Sequence, residues 1–577
     1  MLRLTIFIFL FLSLSGDAQT LFCAGDPPLN PHLAESPWPI YHRNNYAQSS
    51  TCLPGPLPGD SLRVVGRLDI QGGTSPWTYL SDIYPSGERV LFQSNATHFF
   101  KFIDTGEEIL AVDSLRIDFD PIASFGWNFL LSGNASWFTY DPKYDPTDGQ
   151  FTRLFKMADI DSADPYSEML LLDTFDLGAI GVNRTQHFSI NYDGHIVFWS
   201  ENDEANAIAT MGVLTQDFQL LDTLQLPTLP GEIVHHNAFP IAEDNSMYIV
   251  TTHRLIQFLW DGTDLSVGFE ALYDFVADGP TGSFAEGSGT TPTLMGWGEG
   301  NDQLIVMADG HAQNNLLAFW RTLPDGWTGI SGMALHFADS IALPGAQSIS
   351  NIFQSIENSP TVYGYDVAIA QFNSFLGQPC PTEKGVQKIH WDTMNNAFEL
   401  DWVNTDININ GVLTYSSGSN LLYGSGKEED CNYYYYGLDW ETGDPLFRQL
   451  LGGEGTFVNN SYDDGGNNNI IDENGNIYFS GGSSLLKVET IAPVSSIQKP
   501  LQQQAFISPN PLREWGYLHT QMALPAKLEI WSIAGKRWVD ETISGREISI
   551  YDLPEGVYLA RIQNSQGTFM QKILILR

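Results

Sequence analysis

Short apolar strands alternate with turns rich in Asp, Asn and Gly along most of the chain. The clearest copies are residues 472–479 followed by 485–488, and residues 243–250 followed by 255–258. Looser copies recur at a spacing of about 45 to 70 residues, which is long enough for one four-stranded sheet with insertions. The pattern predicts a series of antiparallel β-hairpins.

A twisted four-stranded sheet leaves an apolar face and two edges uncovered, so such repeats become stable by packing around an axis. We therefore expect an all-β fold, a β-propeller of about eight four-stranded blades over residues 61–490, with seven blades left open. The strand at residues 62–70 should complete the sheet that begins near Ile470 and close the ring. Residues 119–177 fit the repeat least, and within them residues 140–149 and 159–165 are expected to form long surface loops. No amphipathic helix is expected in this body.

Two of the repeats end in similar turns, Leu438-Asp-Trp-Glu-Thr-Gly443 and Ile103-Asp-Thr-Gly-Glu107, and Ser36-Pro-Trp-Pro39 precedes the first repeat. These segments resemble quinoprotein-like (PQQ-like) β-propellers. The resemblance implies the propeller fold. It does not imply binding of pyrroloquinoline quinone, because the adjacent cysteine pair of the alcohol dehydrogenases in that group is missing.

The C-terminal segment, residues 506–577, has a different pattern. A Pro-Asn-Pro entry is followed by an apolar strand that ends in Gly-Lys, by a Leu-x-x-Gly-x-Tyr strand and by a basic-apolar terminus. The residues that define this order are Pro509, Asn510, Pro511, Gly535, Lys536, Gly556, Tyr558 and Lys572. The segment resembles the type IX secretion sorting domain of Bacteroidetes. Trp531 and Ser532 depart from that pattern, since Tyr and Asp or Asn are usual there.

The resemblance implies an immunoglobulin-like β-sandwich that the secretion machinery of the outer membrane recognises and commonly removes. Residues 1–18 agree with export, because the apolar run at 4–12 and the small residues ending at Ala18 predict a signal peptide cut before Gln19. Residues 19–60 are expected to form an N-terminal arm and residues 491–505 a linker. The expected location is therefore secreted or at the outer-membrane surface, reached through the periplasm, with no transmembrane segment.

Net charge limits the classes of binding partner, and cysteine content predicts disulfide bonds. With 68 acidic and 27 basic residues the net charge is -41, which argues against nucleic acid or an anionic membrane as a partner. Four cysteines are an even number for a chain that leaves the cytoplasm, so two disulfide bonds are expected. We pair Cys23 with Cys52 and Cys380 with Cys431, and the two other connectivities remain open.

Polar segments just before the inner strands form the candidate ligand site, because inner strands of a propeller converge on a central channel. The candidate residues are His235, His236, Asn237, Thr290, Thr291, Glu357, Asn358, Asn459 and Asn460. The side-chain oxygens of the Asn, Thr and Glu residues in this set would suit Ca²⁺, so calcium is the one cofactor considered. The alternative is that these side chains satisfy backbone groups in tight turns. No catalytic or metal-ligating residue is assigned.

The sequence contains no G-x-S-x-G, H-E-x-x-H, P-loop or Gly-x-Gly-x-x-Gly motif. A non-enzymatic binding scaffold with a small-molecule, glycan or protein ligand is therefore favoured. The alternative is a calcium-dependent lactonase or arylesterase that resembles the propeller hydrolases. The run Tyr433-Tyr-Tyr-Tyr436 leaves two interpretations open: an aromatic strand packed between blades, or a strand with two rings exposed to a ligand.

Overall fold

In the computed structural model the chain divides into two compact units, Met1–Ala492 and Pro493–Arg577. Every residue is described except 1–22, 24, 68–69, 71–77, 95–97, 117–128, 132–135, 142–152, 183–184, 201–207, 234–236, 274–286, 312, 348–353, 357, 371, 374–383, 410, 453–468, 482–483, 492–506, 509–511, 514–516, 521–524, 533–535, 545–546, 550–552, 555, 565–566 and 577. The predicted signal peptide thus lies outside the described residues.

The first unit begins with two arm strands and four successive blades. The arm strands are β1 (Ser50–Thr51) and β2 (Ser61–Arg67). Blade 1 contains β3 (Thr78–Leu80), β4 (Leu91–Ser94), β5 (His98–Asp104) and β6 (Ile109–Arg116). Blade 2 contains β7 (Phe129–Leu130), β8 (Ser136–Asp141), β9 (Arg153–Asp159) and β10 (Met169–Asp176), and a 3₁₀ turn follows at Leu177–Ile180. Blade 3 contains β11 (Thr185–Ile190), β12 (Ile196–Ser200), β13 (Ile208–Leu214) and β14 (Leu220–Pro227). Blade 4 contains β15 (Met247–Val250), β16 (Arg254–Trp260) and β17 (Leu265–Leu272), and an isolated bridge from Ile241 to Met247 precedes its first strand.

Four further blades follow. Blade 5 contains β18 (Thr293–Met295), β19 (Leu304–Ala308), β20 (Gln313–Trp320) and β21 (Phe337–Gln347). Blade 6 contains β23 (Thr361–Tyr363), β24 (Asp366–Ala370), β26 (Val386–Asp392) and β27 (Ala397–Asn404), and a small extra hairpin is made by β22 (Gln354–Ser355) and β25 (Phe372–Asn373). Blade 7 contains β28 (Thr414–Ser416), β29 (Leu421–Lys427), β30 (Tyr433–Asp439) and β31 (Pro445–Gly452). Blade 8 contains β32 (Ile470–Ile471), β33 (Ile477–Gly481) and β34 (Ser484–Ile491).

Strand β2 completes blade 8 from the other end of the propeller sequence. It pairs antiparallel with β34, from Ser61 opposite Ile491 to Arg67 opposite Leu485. The prediction that residues 62–70 finish the sheet beginning near Ile470 is therefore confirmed for the strand that the structure describes. Such a pairing joins the two ends of the propeller sequence in one sheet through backbone hydrogen bonds.

Buried apolar clusters join each blade to the next. Ile470 and Tyr478 of blade 8 share a cluster with Leu91 and Phe102 of blade 1. The other seven interfaces are filled by six further clusters, one of which spans blades 1, 2 and 3, so the series of contacts returns from the eighth sheet to the first. Burying one such side chain contributes about 1.5 to 3 kcal/mol, which is how sheets too small to stand alone become a stable unit. The fold is an all-β propeller of eight blades.

Asp side chains explain the turn motifs seen in the sequence. Oδ1 of Asp472 accepts hydrogen bonds from the amides of Asn474 (2.8 Å) and Asn476 (2.9 Å). In the turn between β30 and β31 of blade 7, Oδ1 of Asp439 accepts from the amide of Thr442 at 3.0 Å. An Asp at the first turn position closes the backbone in this way, so the Asp-Asn-Gly signal indicates hairpin geometry rather than a ligand site.

Residues 119–177 contain blade 2, the assignment that the sequence supported least. Of the two loops expected there, the later one is confirmed for residues 160–165, which lie between β9 and β10, and residues 142–149 of the earlier one lie outside the described residues.

The interpretation of Tyr433–Tyr436 with two exposed rings is wrong, because all four are buried. Tyr433 and Tyr435 face the cluster shared with blade 8, and their neighbours in the run face the cluster shared with blade 6. Both faces of the strand are covered because a blade is packed between two others.

The second unit is a β-sandwich of two sheets. One sheet contains β35 (Ile507–Ser508), β37 (Tyr517–Thr520) and β40 (Glu547–Ser549). The other contains β36 (Leu512–Arg513), β38 (Ala526–Ser532), β39 (Arg537–Ile543), β41 (Gly556–Asn564) and β42 (Gly567–Leu576). Leu528, Ile530, Ala560 and Ile573 form its core with less than 1% of each side chain exposed. The described parts of both units contain no α-helix.

Candidate functional site

The N-terminal arm lies along the inner strands of the propeller. Backbone carbonyls of arm residues 45, 46, 48 and 49 accept hydrogen bonds from amides at the inner edges of blades 4, 5, 6 and 7. The pairs are Ile241 N to Asn45 O (2.8 Å), Leu294 N to Tyr46 O (2.9 Å), Val362 N to Gln48 O (2.9 Å) and Tyr415 N to Ser49 O (3.2 Å). The arm thus crosses four consecutive blades at their inner edges.

Contacts to further blades extend this path. Leu80 of blade 1 donates its amide to the carbonyl of Trp38 at 3.1 Å. Nδ2 of Asn45 donates to the carbonyl of Ile190 in blade 3 at 2.8 Å. Beyond the crossing, β1 pairs in parallel with β28 of blade 7. The inner edges of six blades therefore bond to one segment of the chain, which occupies the channel that the propeller fold leaves at its centre.

The arm is buried and sharply turned. The side chains of Trp38 and Tyr46 are completely buried. His42, Arg43, Ala47 and Ser49 have φ values of 54°, 77°, 60° and 53°. Residues other than glycine adopt this left-handed region only where the surroundings compensate for its cost, so the conformation depends on the inner edges of the blades.

A disulfide bond and an ion pair fix the arm where it enters and leaves. Cys23 and Cys52 are bonded, with 5.5 Å between their Cα atoms, which confirms the predicted pairing. The guanidinium of Arg43 donates to both carboxylate oxygens of Asp26 at 2.7 Å and to the carbonyl of Ser50 at 2.6 Å. Cys431 is also disulfide-bonded, and Cys380, its predicted partner, lies outside the described residues.

Tyr41 brings the arm against the candidate site. Its hydroxyl lies near the side chains of Thr291 and Ser359, which act to lower its pKa, but burial is the larger effect and raises the pKa of Tyr41 above the usual range. The amide of Thr291 donates to Oγ of Ser359 at 3.0 Å. This bond holds together two segments that the sequence placed before separate inner strands.

The other described candidate residues also bond within the chain. Nδ2 of Asn237 donates to the carbonyls of Ser288 and Thr290, both at 3.2 Å. Oγ1 of Thr290 accepts from the amide of Ala308 at 3.1 Å. Nδ2 of Asn358 donates to the carbonyl of Ala370 at 3.4 Å. These contacts match the alternative in which polar side chains satisfy the backbone, and a ligand role for these residues stays a prediction.

The remaining candidate residues are His235, His236, Glu357, Asn459 and Asn460, and they lie outside the described residues. Among those that are described, no cluster of three or more His, Cys, Asp or Glu side chains is arranged to hold a metal ion. The calcium hypothesis therefore stays a prediction, and five of its candidate residues lie outside the described part of the chain.

Two buried histidines were not identified from the sequence. His187 of β11 and His42 of the arm are both about 95% buried or more. Burial lowers the pKa of His187 to about 3. Burial, and then the charge of His187, lower the pKa of His42. Nδ1 of His42 lies 2.7 Å from Oγ of Ser49 in the same arm. Both imidazoles are neutral in the folded protein at neutral pH.

In the sandwich, the sorting residues fall at strand ends and in strands. Tyr558 is buried and donates its hydroxyl to the carbonyl of Pro554 at 2.9 Å. Gly556 begins β41, Lys572 lies in β42 opposite Leu559, and Lys536 is exposed before β39. Pro509, Asn510, Pro511 and Gly535 lie outside the described residues. A recognition role for the individual residues stays a prediction.

The fold and the tail together define an exported propeller protein with a terminal β-sandwich. Residues 507–576 match the family described as the secretion system C-terminal sorting domain, and this segment is a type IX sorting domain. The protein is therefore secreted or displayed at the cell surface, and the secretion machinery is one of its partners. No helix among the described residues has the length and apolar character needed to cross a bilayer.

The propeller itself has more distant similarities. An uncharacterized protein of Archaeoglobus fulgidus is 26% identical over 450 residues, which cover 74% of this chain and 82% of that protein. A europium-containing methanol dehydrogenase is similar at a TM-score of 0.48 and 8% identity, over 80% of this chain and 98% of its own. The quinohemoprotein alcohol dehydrogenase of Comamonas testosteroni has a TM-score of 0.47 and 10% identity, over 81% and 83%. No inference about activity rests on these similarities.

The contact of Tyr41 with Thr291 and Ser359 can be tested by Tyr41→Phe. The substitution removes the buried hydroxyl that the arm places near Thr291 and Ser359, and the loss of such a buried polar contact costs about 1 to 3 kcal/mol. Urea denaturation should show a loss of stability of that size. Tyr166→Phe is the matched control, because Tyr166 is 49% exposed, and its curve should overlay that of the wild type. Equal curves for all three proteins would contradict the arm placement.

The buried imidazole of His187 predicts a loss of stability in mild acid. Its pKa of about 3 lies below the unfolded value, so the unfolded chain alone takes up a proton between about pH 6.5 and 3. Stability should fall as the pH drops through that window, by about 2 kcal/mol from this group at pH 5. His187→Gln should weaken the pH dependence of the urea midpoint, whereas His32→Gln, at a partly exposed position, should keep it. An unchanged slope in His187→Gln would show that this group stays accessible to protons.

Proposed function

We propose that this protein is a non-enzymatic binding scaffold that type IX export delivers to the cell exterior. The proposal includes removal of residues 1–18 as a signal peptide, a linker at 491–505 before the sorting domain, and an origin in the Bacteroidetes. The ligand is a glycan, a protein or a small molecule held outside the central channel.

The observation that carries the proposal is the occupation of the channel by the arm. Enzymes and ligand-binding propellers need open polar groups where the inner strands converge. Here the inner-edge amides of four blades donate hydrogen bonds to the backbone carbonyls of Asn45, Tyr46, Gln48 and Ser49. The Tyr41 hydroxyl is buried near Thr291 and Ser359. A channel filled by its own chain supports a structural role for the centre and leaves recognition to the outer surface.

The charge of the body supports an exposed, well-solvated scaffold. Residues 1–492 contain 61 acidic and 18 basic residues. Outer strands of the blades combine charged side chains with exposed leucines, as in β10, where Leu170 and Leu172 are each 49% exposed. Net charge of this size keeps a secreted protein dispersed and favours cationic or neutral ligands over anionic ones.

The competing function, a calcium-dependent lactonase or arylesterase, makes opposite predictions for the full chain. We expect calorimetric titration with Ca²⁺ to show no stoichiometric site, and γ-butyrolactone and phenyl acetate to remain unhydrolysed. Protein and glycan arrays probed with the same preparation should return a ligand.

Asn358→Ala separates the two functions, with Asn395→Ala in an exposed hairpin turn as its control. Under the scaffold proposal neither substitution changes binding to the array ligand. Stoichiometric calcium uptake together with hydrolysis that is lost in Asn358→Ala and retained in Asn395→Ala would establish the hydrolase instead. A full chain that binds nothing on either array would also count against the scaffold.

A further inference from the structure

Charge is distributed very unevenly between the propeller unit and the sorting unit. Residues 493–577 contain nine basic and seven acidic residues, so this unit is close to neutral and slightly basic. The remaining chain contains 18 basic and 61 acidic residues. The sorting unit therefore carries a third of the basic side chains in about a seventh of the length, and it is the one part of the chain that an acidic surface would not repel.

Several of these basic side chains lie on one face of the larger sheet of the sandwich. In β38 the residues Ala526, Leu528 and Ile530 point into the core. Lys527 and Glu529 alternate with them and face outward, as strand geometry requires. Arg561 of β41 is paired directly opposite Glu529, so it lies on the same outward face. This outward face is called the basic face below.

Glu529 organises the basic face. Its side chain is only 7% exposed, and its carboxylate lies 3.3 Å from Nζ of Lys527, 3.3 Å from Nη1 of Arg537 and 3.1 Å from Nε of Arg561. Asp540 adds a second carboxylate, 3.2 Å from Lys527 and 2.7 Å from Arg537. The carboxylates hold the cations close together, since three like charges would otherwise separate, and they leave an excess of positive charge.

The cations remain available to a partner. Lys527, Arg537 and Arg561 have side chains that are 46%, 52% and 38% exposed, although each is fixed by Glu529. The guanidinium of Arg561 also lies 5.9 Å from the centre of the Trp531 ring. Partly buried arginine beside an aromatic ring is a common anchor of protein interfaces, because the side chain is ordered before the partner arrives.

We propose that the basic face is the surface by which the sorting domain binds the secretion machinery, and that the machinery presents an acidic protein surface to it. The embedded carboxylates of Glu529 and Asp540 favour a protein with matched charges over a dense layer of anionic headgroups, which would meet those carboxylates at close range. The acidic propeller is repelled by the same surface. Charge therefore favours docking of the sorting domain over docking of the propeller.

Export of the full chain in a host with a type IX system tests this inference. Arg561→Glu should lower the fraction of protein outside the cell about tenfold, toward the level of a chain that lacks residues 507–577, with the remainder in the periplasm. Arg561→Lys keeps the charge and should be exported like the wild type. Lys499→Glu is the matched control, because it makes the same change in net charge ahead of the sandwich sequence and should also be exported normally.

Folding is checked by the melting temperature of each purified full-length protein. If Arg561→Glu melts earlier than the wild type, Lys527→Glu, at a more exposed position, replaces it and should show the same block in export. Normal export of a correctly folded charge-reversal variant at either position would overturn the proposal. An equal loss of export in Lys499→Glu would also overturn the proposal, because net charge rather than the basic face would then explain the loss.

A second measurement separates a protein surface from a lipid surface. The purified full chain should not sediment with phosphatidylglycerol vesicles at physiological salt. If it does, and if Arg561→Glu abolishes the sedimentation, the basic face binds anionic headgroups and the proposed protein contact is wrong. Failure of the export experiment leaves the scaffold function untouched, because the two rest on different units of the chain.

Discussion

The hydrogen bonds between the arm and the inner edges of the blades are the interaction on which the propeller depends. Inner strands of a propeller have one edge without a strand partner, and their backbone groups must find acceptors once they are removed from water. The carbonyls of Asn45, Tyr46, Gln48 and Ser49 supply acceptors to blades 4 to 7 in turn. One segment thereby sets the positions of several blades relative to one another and closes the space that a ligand would otherwise occupy.

Ion pairs between neighbouring blades also hold the blades in position, and they lie farther from the centre of the propeller than the arm does. Nζ of Lys101 in blade 1 lies 2.8 Å from Asp159 in blade 2, and neither side chain is exposed. Nζ of Lys487 in blade 8 lies 2.7 Å from Asp104 in blade 1. Each lysine is in the third strand of its blade and each aspartate ends the third strand of the next. Buried pairs add little net stability because desolvation offsets their attraction, but a displaced blade would leave a buried charge alone.

The sequence was informative wherever structure is local. The turn at Asp472 and the strand after it follow from Asp, Asn and Gly side chains that close a hairpin with their own backbone. The end of the ring was predictable as well, because residues 62–70 read as a strand without a hairpin partner nearby. The sandwich was recognisable from the spacing between Gly535, Tyr558 and Lys572.

The sequence indicated an N-terminal arm, but the path of that arm along the inner strands was not predictable, for physical reasons that particular residues make clear. The arm has no periodic pattern of apolar residues. Its hydrogen bonds are accepted by backbone carbonyls, which every residue possesses, so no residue type marks them. Its turns occur at His42, Arg43, Ala47 and Ser49, and of these residue types only His is enriched at positive φ. Blade 2 was the weakest assignment because residues 140–149 and 159–165 are rich in Asp and Pro and indicated loops. Thr291 was expected near an inner strand, but Tyr41, whose hydroxyl lies near its side chain, is distant in sequence.

Hydrogen–deuterium exchange of the full-length protein measures the central claim directly. The account predicts that amides in residues 38–53 exchange as slowly as those of the inner strands β18 and β23, because the arm is buried along them. Exchange of that segment at the rate of an unstructured peptide, with the inner strands still protected, would contradict the account. The channel would then be open, and the case for a binding scaffold with a closed centre would fail.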